Sequence, residues 1–570
     1  MLMEKYKGRV ITTIISKLFY KTLILCGGIV ENTLENLTKK PLKFNSDTLF
    51  KILSLNSNCE YGKKYKFSSI KSITDYKSLV PLTNYKDYED YINRMAEGED
   101  NILISYNVEY YGHTSGTTGK QKLIPVTKKG MLAASKYMAL LIPKLSYNNF
   151  KNNYSYGRGL LLSDIVVTTY TKGGTPICSA TSGGMNSIKY ILPIMYTSPL
   201  EIMKINDKES AQYLHLLFAL KETNLMYISA VFISHILDML RYLDENSESL
   251  INDIRKGRIT HNLKIDSATR NTLNKQLKPD ASRADFLSRE FKKGAKGICQ
   301  RIWPKLAYIV TVTGANFSIY DEKVNYYTDY LPIYSTAYAA TEGMIGINPY
   351  ASKISYVIIP DTVFYEFIPV SDCLKNNPKT YNIDELSIGQ SYEIVLTNYA
   401  GLYRYRLGDV VKVVGFYNNC PKIEFLYRRN QLLNMVSEKT TEEHLTSTIS
   451  NTISKLKLNL VDYTTCADNS LSPGRYIFYL ELNDPISPRL SASIEDVLDN
   501  ELQKCNLAYG RFRRNHKLSK AKVVLLAPKT FLAIKETLFA AGTSNRQVKI
   551  PRVITSNEKI KAIINKNTLS

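Results

Sequence analysis

Residues 111–125 read YGHTSGTTGKQKLIP. Hydroxyls stand at Thr114, Ser115, Thr117 and Thr118, glycines at Gly112, Gly116 and Gly119, lysines at Lys120 and Lys122. Glycine lets a chain bend sharply enough to aim several N–H groups at one anion. Neighbouring hydroxyls donate to phosphate oxygens, and lysines attract them. A polyphosphate such as ATP suits that set. The spacing is not that of the Walker loop GxxxxGK[ST]. Taken alone, a run rich in Ser, Thr and Gly is also what a plain turn looks like. The stretches that decide between the two lie further along.

The bulk composition sets the frame. A chain of 570 residues has room for two or more domains and ample core. Its 44% hydrophobic and 22% charged residues are those of an ordinary globular protein. Lysine and arginine number 74 against 52 acids, a net charge of +22. The lysines are spread evenly, which fits a general lysine-, asparagine- and tyrosine-rich bias better than a nucleic-acid surface. A polyphosphate substrate would also gain from the positive field. The 8 cysteines form no CxxC pair, and the 6 histidines show no ligand spacing, so a zinc site is not expected. Scattered thiols suit a cytoplasmic protein. No apolar run is long enough to span a bilayer. Residues 10–30 come nearest, but Lys17 and Lys21 interrupt them, and Val10, Ile11, Ile14, Ile15, Leu18 and Phe19 follow a helical period. This stretch is expected to be an amphipathic helix docked on the body. A monomer with neither a membrane nor a nucleic-acid partner is expected.

Hydrophobic patterning predicts helices over 46–55, capped by Ser46 or Asp47, over 85–96, and over 128–142, where Pro143 stops the last. Residues 58–67 and 171–184 read as loops. Strands are expected at 102–111, 123–126 and 159–167, and at 225–229 between helices 209–221 and 231–243, an alternation of the α/β kind. Further strands are expected at 306–312, 331–335, 356–359, 363–369, 391–397, 402–406 and 410–414, with Gly408-Asp409 a tight turn between the last two. The pattern changes near 428–439. Helix 440–456, with Thr440-x-x-Glu443 as a capping box, then strand 475–482, helix 495–505, strand 521–527 and helix 531–541 make a small α+β unit. The expected fold is α/β, with a large N-terminal domain at 1–430 carrying a β-barrel-like portion. A small mobile C-terminal domain at 431–570 is hinged near 429–435.

Three stretches belong together: TSGTTGKQK at 114–122, YAATEG at 338–343 and YRYRLGD at 403–409. In order and wording they resemble the three adenylation motifs of the Gretchen Hagen family of acyl-acid amido synthetases, within the firefly-luciferase-like adenylating superfamily. WP at 303–304, VTGA at 312–315, ISYVIIP at 354–360, FYEFIP at 364–369, SEKTTEEHL at 437–445 and QVKIPR at 547–552 extend the likeness over nearly the whole chain. The resemblance implies a ligase that uses ATP and Mg2+. A carboxylic acid is activated as an acyl-adenylate, and an amine, as a rule of an amino acid, then displaces AMP. An acyl-CoA ligase working through the same intermediate is the rival enzyme. A catalytically inactive nucleotide- or nucleic-acid-binding protein is the rival outside catalysis.

The resemblance also implies roles for residues. Thr114, Ser115, Gly116, Thr117 and Thr118 would cradle the phosphates. Tyr338, Thr341 and Glu342 belong to the second motif, and Glu342 would hold the metal, its alternative being a plain surface carboxylate. Asp409 would accept hydrogen bonds from the ribose hydroxyls, or else form a salt bridge to Arg404 or Arg406. Tyr356 would stack on adenine, or simply pack in its strand. Thr313 and Gly314 would approach the adenylate from a strand end. Lys549 and Lys439 in the C-terminal domain would reach the nucleotide during catalysis. The acyl pocket should lie between residues 131–142 and 231–240, with Val231, Phe232 and His235 either its wall or ordinary core. The sequence departs from the family wording at His113, where a small hydroxyl residue is usual, and at Ala340-Thr341, where paired serines are common.

Overall fold

The parallel strands Gly159–Leu162, Tyr227–Phe232, Tyr308–Val312 and Ile333–Tyr334 lie side by side in that order. They read as short apolar runs because helices cover them: Leu160, Ile228 and Ile309 have no exposed surface. This is a computed structural model. It describes residues 2–113, 122–313, 320–429, 433, 435–436, 438, 440–484, 488–540, 549–554 and 557–569, with side chains undescribed at 2–13, 488–491 and 539–540. Helices Lys208–Lys221 and Ile233–Glu245 join this core, where the indole N–H of Trp303 donates to Ala219 O at 2.9 Å.

A second sheet runs Leu123–Thr127, Val108–His113, Pro176–Cys178, Thr169–Tyr170. The barrel-like portion is a seven-stranded antiparallel sheet. Its order is Phe364–Pro369, Ser391–Thr397, Tyr405–Tyr417, Cys420–Arg428, Tyr356–Ile358, Gly343–Ile347, Ala337–Ala340. The smaller C-terminal domain has its own core around Leu460–Asp468, Arg475–Leu482 and Lys522–Leu526. The chain is thus a mixed α/β protein with a large N-terminal and a smaller C-terminal domain.

Several expectations are corrected. The helix predicted over 46–55 is Pro41–Leu55, because Pro41 occupies the first turn, where its missing N–H costs nothing. Pro143 does not end the helix before it. Helix Lys128–Lys136 widens into a π turn, Tyr137–Leu141, in which Ile142 N–H bonds Tyr137 O, and continues as Ile142–Phe150. Pro143 falls in the first turn of that last segment, just after the wider turn. The supposed loop at 58–67 holds helix Glu60–Lys64, and the one at 171–184 holds strand Pro176–Cys178 and much of helix Ala180–Ser187. Helix Glu442–Leu456 is capped one residue later than expected, by Thr441 with His444. Strand Leu460–Asp468 was not foreseen, as its Asp462, Thr464 and Thr465 break the apolar pattern yet are buried. Residues 430–432 and 434 of the expected hinge lie outside the described residues.

The first arginine of the third motif is structural. Arg404 takes φ 49° and buries its guanidinium against Glu366, which is 1% exposed, with Nε–Oε2 at 3.0 Å and Nη2–Oε1 at 2.9 Å. Its Nη1 donates to the carbonyls of Lys77 and Val80, each at 2.8 Å. Removing one partner of a buried pair leaves an uncompensated charge. Arg404→Ala should therefore cost about 3–5 kcal/mol, read as a large drop in the thermal midpoint. Substituting an exposed lysine such as Lys51 should leave the midpoint unchanged.

Candidate active site

A bulge shapes the strand that carries Asp409. Strand Ser391–Thr397 pairs with Tyr405–Tyr417 as Val395↔Arg406 and then Glu393↔Val410, so the second strand holds extra residues between those pairs. Gly408, at φ 83°, supplies the backbone conformation that this needs. Asp409 therefore sits within one continuous strand, opposite Arg428, and not in a turn between two strands.

Asp409 is 2% exposed. Its Oδ1 accepts from Arg428 Nε at 2.6 Å and its Oδ2 from the Tyr338 hydroxyl at 2.7 Å. The salt bridge considered from sequence exists, but with a different partner: Arg404 pairs with Glu366, and Arg406 with Glu393. Arg429 also reaches Glu393, at 2.7 Å, so consecutive arginines grip carboxylates on neighbouring strands. Burial, and next the nearby Asp409 charge, push the Tyr338 phenol well above its usual range, so it stays protonated and donates. The Tyr338 ring packs 5.7 Å from that of Tyr356 and 6.0 Å from Phe425. Tyr356 is buried in its strand, and its hydroxyl shares a 2.7 Å hydrogen bond with Ser335 Oγ.

Glu342 lies half-buried in the turn between Ala337–Ala340 and Gly343–Ile347. Burial raises its carboxyl above the usual range, and Asp409 adds to this, whereas Arg428 and Lys122 act against it. Lys122, from the end of the first motif, is in turn pushed down by burial and up by Glu342. The ammonium also lies 5.2 Å from the Tyr85 ring centre. One residue from each motif thus feels the same field. Two backbone devices hold the motifs together. A Cβ on Gly112 would lie 2.4 Å from Thr341 Cγ2, so glycine is what lets the strand before the first motif touch the second. Asn398 Nδ2 donates to Glu342 O at 2.7 Å, while its Oδ1 accepts from Ala400 N and Leu402 N. That asparagine ties the second motif to the approach of the third.

The remaining candidates are dispersed. Thr114, Ser115, Gly116, Thr117, Thr118, Gly314 and Lys439 lie outside the described residues. His113, just before the first motif, is buried with Nε2 3.3 Å from Thr168 Oγ1, and burial lowers its pKa, keeping it neutral. Thr313 follows the parallel strand Tyr308–Val312 and donates to Asp321 Oδ1 at 2.6 Å. Val231 and Phe232 end the neighbouring strand, with Phe232 opposite Val312, and His235 packs 5.7 Å from the Phe232 ring. All three are half-buried. Adjacent strand ends of this kind are where open α/β sheets bind ligands. Lys549 lies in the C-terminal domain, 3.5 Å from the fully buried Glu442.

Sequence reasoning missed Arg428, Asn398 and Arg552. Arg552 closes QVKIPR, and it is buried. Nη1 binds Asp462 Oδ1 at 2.5 Å and Tyr463 O at 2.7 Å, and Nη2 reaches the Tyr320 hydroxyl of the large domain at 2.8 Å. The one signal for it was the arginine's place in a quoted motif.

Comparison with known proteins agrees over most of the chain. The GH3 family N-terminal, central and C-terminal domains match residues 30–333, 356–428 and 443–558. Indole-3-acetic acid-amido synthetase GH3.5 of Arabidopsis thaliana is 30% identical over 559 residues, covering 91% of this chain and 90% of that one. Jasmonoyl--L-amino acid synthetase JAR4 of Nicotiana attenuata is 29% identical over 554 residues, covering 94% and 95%. A solved GH3.15 acyl acid amido synthetase superposes with a TM-score of 0.85 at 26% identity, over 95% of this chain and 96% of that one. A 2-hydroxyisobutyryl-CoA ligase in the postadenylation state, with a TM-score of 0.51 at 11% identity over 90% and 91%, shares the fold. Motifs brought into one field, the two-domain architecture and matches from end to end lead to one conclusion: this chain belongs to the GH3 family.

Proposed function

We propose that the protein is an ATP- and Mg2+-dependent acyl-acid amido synthetase, an AMP-forming ligase joining a small carboxylic acid to an amino acid. The observation that carries this is the convergence of Lys122, Glu342, Arg428 and Asp409, which gathers three separated motifs into one charged cluster. In the first step a carboxylate oxygen attacks the α-phosphorus of ATP, and pyrophosphate leaves. In the second the amine attacks the acyl carbon, and AMP leaves with the bond electrons.

Each residue has a task in that scheme. Asp409, fixed by Arg428 and Tyr338, still has lone pairs to accept from vicinal ribose hydroxyls. Tyr338 offers aromatic surface to adenine, with the buried Tyr356 ring packed behind it. The loop at 114–118 and Lys122 meet the phosphates, and Thr341 adds a hydroxyl. Thr313 and Gly314 border the adenylate, and Val231, Phe232 and His235 border the acyl group. Lys439 and Lys549 approach from the C-terminal domain, which we place at 431–570 and expect to rotate about 429–435, because one site must serve two nucleophiles. Among the described residues no group of three metal-ligating side chains exists. A lone carboxylate nonetheless fits magnesium, which keeps several waters and takes substrate phosphates as ligands. Glu342 would hold it, and its charge would neutralise the phosphates as the α-phosphorus is attacked. Free thiols at every cysteine agree with a cytoplasmic setting.

Acid-dependent pyrophosphate release over a panel of carboxylic acids tests the first step. Product mass with amino acids or CoA supplied tests the second, and a CoA thioester as sole product would refute the amide assignment. Asp409→Asn should raise the KM for ATP about a hundredfold, the loss of roughly two charge-assisted hydrogen bonds. Tyr338→Phe should raise it about fivefold, since one hydrogen bond near 1 kcal/mol is lost. Glu342 must be ionised to bind the metal, and burial raises its pKa. Activity should therefore fall with pH at a point above that of an ordinary glutamate. Added Mg2+ should move that limb to lower pH, and Glu342→Gln should remove the Mg2+ response.

A further inference from the structure

Helix Leu2–Lys39 docks along one side only. On that side Ser16 donates to Tyr156 O at 3.0 Å, and Tyr20 meets the Tyr227 hydroxyl at 3.3 Å. At Gly27 the backbones come so close that a Cβ would lie 2.4 Å from Leu140 O. Tyr20, Leu23 and Val30 complete the buried face. The opposite face is apolar as well. Ile14 is 59% exposed, Ile15 51%, Leu18 66%, Leu25 74% and Ile29 69%. At 100° per residue these five fall within one stripe, about a quarter to a third of the circumference, directly across from Ser16, Leu23 and Gly27. Lys17 and Lys21, both exposed, flank the stripe on one edge. Residues 2–13 add Lys5, Lys7 and Arg9 against a single acid, Glu4.

We propose that this stripe is a docking face for an anionic lipid surface, on which the helix lies flat. An apolar stripe edged by lysine, with basic residues leading into it, is the pattern that buries side chains at the acyl boundary while its charges meet acidic headgroups. The chain's net charge of +22 has the sign that such a surface attracts. Insertion across the bilayer is not the reading, because no helix among the described residues is long and apolar enough to cross a membrane. A second copy of the chain fits less well. Pairing would bring together the lysines that edge the stripe and the like net charges of two copies. A lipid-surface role amends the expectation of no membrane partner.

The test is co-sedimentation of the full chain with phosphatidylcholine vesicles, with and without phosphatidylserine. Binding to the phosphatidylserine vesicles alone, weakened by added salt, is expected. Leu18→Glu with Leu25→Glu should lower it at least tenfold, and Lys17→Gln or Lys21→Gln about fivefold each. Thermal midpoints should be unchanged for the leucine and Lys21 variants, whose side chains touch solvent, and slightly lower for Lys17→Gln, whose ammonium lies 5.9 Å from the Tyr156 ring centre. Three results would overturn the proposal. One is no binding to acidic vesicles. Another is binding that survives the double leucine substitution. The third is a dimer, by sedimentation velocity, that the double substitution dissociates while vesicles are ignored.

Discussion

A carboxylate with 2% exposure has to be paired, and Asp409 is paired twice. Taking a carboxylate out of water costs several kcal/mol unless donors replace the lost hydration. Arg428 and Tyr338 replace it, and they come from different parts of the chain. Arg428 is the last residue of strand Cys420–Arg428, and Tyr338 lies in Ala337–Ala340, at the edge of the same sheet. Satisfying one buried charge therefore fixes the second and third motifs relative to each other. Arg428 is shared further, because it also opposes the burial penalty on Glu342. One guanidinium thus pairs with Asp409 and opposes the burial of Glu342, the two acids that the proposed chemistry uses.

The backbone keeps its course through much sequence change. At 26% identity the backbone still superposes on a GH3.15 acyl acid amido synthetase with a TM-score of 0.85. Thr341 turns its methyl group onto Gly112. His113 is buried and held neutral, so it adds no charge just before the first motif.

How far the sequence could be read follows from which interactions are local. Alternation and helical period gave the parallel strands and the helices around them, because those patterns depend on neighbours in the chain. Ser391–Thr397 and Arg475–Leu482 match their expected bounds. Pairing across the sheet is not local. Nothing near Gly408-Asp409 reveals that the chain continues as one bulged strand, since Gly-Asp is equally a turn signal. Whether Asp409 meets Arg404, Arg406 or Arg428 depends on register, which the neighbouring strand sets. Pro143 failed as a stop signal because it follows a π turn and enters the first turn of a further helical segment, Ile142–Phe150. Strand Leu460–Asp468 escaped notice because its buried polar residues serve Arg552 and its loop: Thr464 and Thr465 donate to Pro551 O and Arg552 O.

Arg552 bears on how the domains can move. Its ion pair with Asp462 lies wholly within the C-terminal domain, and Tyr320 reaches in from the large one. Lys535 to Asp238 at 2.9 Å, and Lys323 to the Leu460 carbonyl, are the other polar links named across the boundary. A rotation of the C-terminal domain would carry the buried pair along intact. It would exchange the two hydrogen bonds of one neutral hydroxyl and two links made by lysine, whose ammonium is readily rehydrated. Breaking Arg552 from Asp462 would instead strand two buried charges. The boundary is built so that the costly interaction is internal and the replaceable ones cross it, which is what the proposed two-step use of one site requires.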